Sequence, residues 1–370
     1  MKINLTLKNS LLLFNLLLFT TLFGQKYSNE FLSIGVGAKA QGMGNSVVAS
    51  VDDVTAGYWN PAGLAAIGED KGLQLGGMHS EWFAGVGKFD YLGITLPFST
   101  KNRRLGLSVI RFGIDDIPNT LSLFEDDGTV NYDNITSFSS ADYAFLISFA
   151  QRLKTKKEGR ELNMGGNVKV VRRVIGSFAG SWGFGLDLGL QYRIGKFRFG
   201  AMGRDITSTF NAWHVTFTEE EKTQLLAAGQ ELPDINSLEV TKPQILLGVA
   251  YLFQLKKFGF APEFNFLATT DGKRNTLISG DPISIDPTFG LEVDYNKFLF
   301  LRGGIGQLQQ EKDFDGSKSY ISRPSIGIGL QLFSLRIDYA FTDVGDSQNR
   351  YSHVISLQLD LKPKKKSTAP

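Results

Sequence analysis

Residues able to do chemistry are few and scattered in this chain. His79, His214 and His353 are its only histidines, and it has no cysteine. No H-E-x-x-H or paired-histidine spacing exists, so neither a zinc site nor a nucleophile–histidine triad is expected. Without thiols there is no disulfide framework and no thiolate metal site. Asp115-Asp116 and Glu125-Asp126-Asp127-Gly128 hold enough oxygen for Ca²⁺. They lack ligands at alternate loop positions, however, and read as solvated loop charge. Gly42-x-Gly44 has no strand–helix–strand unit after it and is not a dinucleotide fingerprint. Arg103-Arg104, Arg172-Arg173 and Lys154-Thr155-Lys156-Lys157 are basic, but a net charge of +2 does not make a nucleic-acid face. No catalytic residue, metal or cofactor is expected.

The elements that would carry these residues are strands. Residues 182–194 alternate strictly. Trp182, Phe184, Leu186, Leu188, Leu190, Tyr192 and Ile194 share one face, while Gly183, Gly185, Asp187, Gly189, Gln191, Arg193 and Gly195 share the other. An aromatic residue near each end with aliphatics between is the order of a strand that faces lipid. Ile245–Phe253, Phe258–Phe266, Phe289–Tyr295, Leu335–Phe341 and Ile355–Leu361 repeat the pattern. Charges on the second face suit a wet lumen better than a dry core. Among 370 residues there are 41 Gly and 29 Phe but only 5 Met. Mean hydropathy is near zero, as alternation requires and as a helical membrane bundle would not allow.

The predicted architecture is all-β: a transmembrane antiparallel barrel of about fourteen strands over residues 72–361. Its expected even-numbered turns are short, such as Ser99-Thr100-Lys101, Gly195, Asn296 and Phe333-Ser334. Its odd-numbered connections include long ones at 114–138, 206–243, 269–283 and 306–319, with shorter ones near 176–180 and 344–350. Long loops outside and short turns inside place both termini in the periplasm. Lys2 and Lys8 precede the apolar run Leu11–Phe19, which ends near Phe23-Gly24-Gln25, so residues 1–24 read as a cleaved signal peptide. Residues 362–370 form a basic tail. Within loop 206–243, Thr218 followed by Glu219-Glu220-Glu221 and closed by Gly229 predicts a short capped helix.

Residues 25–71 do not alternate and are predicted to form a plug with one small helix. Asp52 is the expected cap of a helix over 53–59, which Pro61 ends. The stretch GAKAQGMGNSVVASVDDVTAGYWNPAGLA contains Gly42, Met43, Gly44, Asp52, Asp53, Trp59, Asn60, Pro61, Ala62 and Gly63. It resembles the N-terminal signature of the PorV/PorQ family, a Bacteroidetes branch of the FadL-like outer-membrane barrels. That resemblance implies a fourteen-stranded barrel with a periplasm-side hatch. For PorV-like members it implies a part in type IX secretion, binding exported cargo or a translocon partner. For FadL-like members it implies passive transport of hydrophobic molecules, with an apolar ligand. On the first reading, Phe210, Trp213 and Phe217 in loop 206–243 are candidate docking anchors. Barrels of the outer-membrane phospholipase kind need a Ser/His/Asn constellation at the rim; no serine motif matches, so no enzyme is expected.

Overall fold

The computed structural model describes residues 28–68, 71–83, 85–123, 125, 128–155, 158–227, 231, 236–312, 318–343 and 351–361. The predicted signal peptide 1–24, the predicted basic tail 362–370, residues 344–350 and Asp126, Asp127, Lys156, Lys157 and Gly229 lie outside the described residues.

Among the described residues seventeen strand segments follow one another. They are β1 (Leu73–Trp82), β2 (Gly87–Phe98), β3 (Thr100–Asn119), β4 (Thr136–Leu153), β5 (Arg160–Ile175), β6 (Ala179–Ile194), β7 (Phe197–Arg204), β8 (Thr209–Val215) and β9 (Asn236–Thr241). Then come β10 (Gln244–Tyr251), β11 (Phe253–Leu255), β12 (Phe258–Thr269), β13 (Ser284–Tyr295), β14 (Leu299–Lys312), β15 (Lys318–Leu332), β16 (Leu335–Asp343) and β17 (Tyr351–Leu361). They build fourteen staves. β7 and β8 pair in turn with the same edge of β6, so they are one strand interrupted by a bulge at Asp205–Ser208. β9, β10 and β11 are likewise one strand, broken at Lys242-Pro243, where proline removes a ladder donor, and at Leu252. Every neighbour is antiparallel, and β1 pairs with β17 to close the ring.

Alternation settles which face is outside. On β6, Leu188 is 56% exposed and Asp187 beside it 3%. Phe98, Phe149, Phe197, Tyr251, Phe258, Tyr295 and Phe333 ring the outer wall near the short turns. Such an aromatic girdle marks a membrane interface.

Several strands run beyond their predicted ends. β3 continues to Asn119 and β4 begins at Thr136, both inside the connection expected over 114–138. The predicted loop 206–243 contains two strand segments, β8 and β9, with a helix between them. Beyond the membrane both faces meet water, so the hydropathy alternation stops while the hydrogen-bonded ladder continues. That helix, Glu219–Ala227, starts as predicted: Thr218 N donates to Glu221 Oε2 at 2.7 Å, and Glu221 N donates to Thr218 Oγ1 at 3.2 Å.

The plug contains a 3₁₀ turn at Glu30–Ser33, helix α1 (Ala38–Gly42), helix α2 (Ala56–Trp59) and a second 3₁₀ turn at Pro61–Ala66. Only 56–59 of the expected 53–59 is helical. The local acceptor is Asp53 rather than Asp52: its Oδ1 receives Thr55 N at 2.9 Å and Thr55 Oγ1 at 2.5 Å, while Asp52 is exposed. This Asx turn precedes the helix instead of capping it.

Candidate functional site: the plugged lumen

The plug threads the lumen from end to end. Ser28 Oγ and Asn29 Nδ2 each lie 2.7 Å from Thr241 Oγ1, and Asn211 Nδ2 donates to Asn29 Oδ1 at 3.1 Å. Glu30 pairs at 3.0 Å with Arg274, which also holds Asp271. All these partners sit at the long-loop end, so the first described residues lie away from the short-turn mouth. At that other end Arg104 donates to the carbonyls of Gly72, Gly68 and Lys71, and Arg152 donates to that of Ala65. The chain then enters β1.

Small residues on the inner wall let the plug backbone come close. A Cβ on Gly165 of β5 would sit 2.6 Å from the Pro61 carbonyl carbon and 2.7 Å from Ala62 N. A Cβ on Gly42 of the plug would lie 3.0 Å from Cα of Gly327, and Gly44, with φ +60°, packs on Ile305 N. Gly76, Gly189, Gly200, Gly248, Gly290 and Gly304 meet the plug in the same way from other strands. The glycines that read in the sequence as the small face of lipid-facing strands are the seat of the plug.

The signature residues are mutually engaged. Asn60, fully buried, accepts from Ala62 N with Oδ1 and donates to the carbonyls of Val48 and Leu190 at 3.0 and 3.1 Å. Pro61 opens the 3₁₀ turn at the position where its missing N–H costs nothing. Trp59 Nε1 donates to Val36 O at 2.7 Å, Met43 is buried against β13 and β14, and Ala62 is fully buried. Gly63 has no room for a side chain above Val51 O. Lys39 lies 3.6 Å from Asp52 and 3.4 Å from Asp53. Burial would lift the Asp53 carboxyl, but the Lys39 ammonium and the Thr55 donors outweigh it and hold the group down at about 2.

Sequence reading did not single out the wall residues that grip the plug. Glu263 Oε1 accepts from Ala49 N at 2.7 Å. Asn167 Nδ2 donates to Gly57 O at 2.6 Å, and the Arg204 guanidinium lies 4.8 Å above the Tyr58 ring. Behind them Lys169 is buried between Asp187, at 3.1 Å, and Asp205 of the wall bulge. Arg302 joins Glu292 and Asp338 at 2.7 and 2.8 Å. Single polar residues on an inward strand face leave no spacing to detect.

The inner wall is divided, where the sequence predicted small or polar residues throughout. On β6 to β16 it is mostly polar and charged, with Met202, Leu246 and Phe300 as apolar exceptions. On β1 to β5 its upper part is apolar: Trp82, Phe89, Ile110, Phe112, Leu146 and Val171 point inward. Phe31, Leu32 and Val36 of the plug fill this sector, and Ile34 packs alongside. Strands apolar on both faces show no alternation, which is why the sector was not predicted. Between α1 and the β1–β17 wall a crevice of about 30 Å³ remains, room for about one water.

Phe210, Trp213 and Phe217 do not lie together on an open loop. Phe210 is within β8, Trp213 donates to Glu239 at 2.7 Å under the Arg173 guanidinium, and Phe217 packs on Phe178. Each histidine is bound to a local neighbour: His79 to Asp90, His214 to Asn236 and His353 to Tyr339.

No protein-family profile matches the chain, and no curated protein matches it in sequence. Solved structures match in fold. A monoaromatic hydrocarbon channel, CymD, superposes with a TM-score of 0.51 at 13% identity, over 90% of this chain and 99% of its own. The toluene transporter TbuX of Ralstonia pickettii gives 0.52 at 11%, over 88% and 98%. TodX, a toluene transporter of Pseudomonas putida, gives 0.52 at 12%, with the same coverage.

Proposed function

We propose that this barrel is a non-enzymatic outer-membrane channel for small apolar molecules, seen here with its path closed by the plug. The observation that carries this reading is the apolar sector of the lumen. A channel for water-soluble solutes keeps a polar interior. Here Trp82, Phe89, Ile110, Phe112, Leu146 and Val171 offer a continuous greasy strip beside charged walls, and Phe31 and Leu32 occupy it. Aromatic and aliphatic lining is what a site for an uncharged apolar solute requires. The fold shared with hydrocarbon channels agrees with this reading.

The PorV-like secretion reading needs an exposed docking surface on the β8–β9 hairpin. Trp213 is instead committed to Glu239 and Arg173 of the wall and Phe217 to Phe178 in the β5–β6 turn, so the observations favour transport. The test is uptake of labelled toluene by cells that carry the protein in an outer membrane lacking other hydrocarbon channels. Uptake should exceed that of empty-vector cells and fall when Ile110→Asp and Leu146→Asp place charge in the strip. Uptake equal to the control, with the folded barrel present in the membrane, would refute the reading.

A further inference from the structure

The two ends of the barrel carry opposite charge. Among the described residues of the short turns are Lys154, Lys196, Lys256, Lys257 and Lys297, with Glu158 the one acid. The described long-loop segments lean the other way, with Glu125, Asp133, Glu219, Glu220, Glu221 and Glu231 among their acids. The net charge of +2 hides this separation.

At the short-turn end, below the plug, lies an open vestibule of about 750 Å³. Lys39, Lys71, Arg193, Lys196, Arg198, Lys297 and Arg336 line it, against Asp52, Glu292, Asp294 and Asp360. Lys39, Lys71, Arg193 and Arg336 have carboxylates within 4 Å. The side-chain cations of Lys196, Arg198 and Lys297 have none among the described residues, although Lys297 N donates to Asp294 at 2.9 Å. Lys196 rests over the Tyr251 ring at 6.0 Å, and Arg198 Nε is buried without a hydrogen-bond partner. Phe300, held between the guanidinium groups of Arg302 and Arg336, adds apolar surface.

We infer that this mouth is a docking site for an acidic, extended segment of a water-soluble partner protein, whose carboxylates pair with Arg198, Lys196 and Lys297. The volume is that of a ligand site rather than a surface dimple. An anionic membrane surface could satisfy the turn lysines. It cannot satisfy Arg198, which points into the lumen between the outward rings of Phe197 and Phe199. A half-buried guanidinium whose buried Nε lacks a partner costs free energy that an arriving carboxylate recovers.

The test uses the intact protein in zwitterionic detergent and a fluorescent decapeptide of alternating Glu and Ala, followed by anisotropy. Binding should weaken steeply with salt. Arg198→Gln with Lys297→Gln should weaken it about tenfold, while Lys256→Gln with Lys257→Gln, outside the vestibule, should stay within about twofold. Heat-modifiable gel mobility confirms that each variant is a folded barrel. Absence of peptide binding in low salt would overturn the proposal, as would equal losses in both variants. Binding that needs Arg198 but selects phosphatidylglycerol vesicles over the peptide would overturn it in favour of a lipid.

Discussion

Lys39 and Asp53 show how one ion pair can set the acid limit of the plug. Burial, the largest influence on each, opposes both charges, yet their mutual attraction raises Lys39 and lowers Asp53 to about 2. A carboxyl depressed on folding contributes stability that is complete above its unfolded value near ~4 and is lost as pH falls through its folded value. The shift corresponds to about 2 kcal/mol. Amide protection at Ala56–Trp59 should therefore hold from neutral pH to about 4 and decline toward about 2. Asp53→Asn should lower protection at neutral pH and remove most of that acid dependence. An acid profile identical to the native one would show that another group controls the plug. The sequence put Asp52 and Asp53 side by side with no means of choosing between them. The choice is made by Lys39, one helix away, and by the Thr55 donors.

Among elements, the close approach of plug and wall is the most testable feature. Gly165 faces backbone atoms of Pro61 and Ala62, and backbone cannot swing aside as a side chain can. Gly165→Val should leave the β4–β5–β6 ladder paired, since valine favours strands. It should also push the Pro61–Ala66 turn off the wall. The expected result is a barrel that still shifts mobility on heating but whose 60–66 segment becomes a protease target. Protection unchanged from the native protein would mean that the turn has slack. Much at this scale was legible: β13 and β17 end where their alternation ends, at Tyr295 and Leu361, and Thr218 opens its helix. What was not legible has one cause. Period-two patterning exists only where the two faces see different solvents. It disappears where β3 and β4 rise into water, and weakens in the upper part of β1 to β5, where apolar residues also point inward.

For the whole molecule, the decisive question is what closes the pore. The mostly polar inner wall from β6 to β16 is compatible with water, so the plug rather than the wall keeps ions out. Deleting residues 28–66 should leave a folded barrel and raise single-channel conductance in planar bilayers from background to a steady open level. A folded but silent barrel would locate the barrier in the wall or the long loops.

The seam between β1 and β17 also has a consequence in time. It joins the first strand to the last, from Leu73↔Leu361 to Glu81↔His353. No order of synthesis can complete it before the final strand exists. Until then the sheet is an open trough, and the segment ahead of β1 can settle into it sideways. Once the seam zips, the same segment could enter or leave only by reptation along the bore, past Arg104 and Arg152 at one end and Arg274 at the other. Barrel closure thus acts as a ratchet: a misplaced plug is cheap to correct before the last strand docks and slow to correct afterwards.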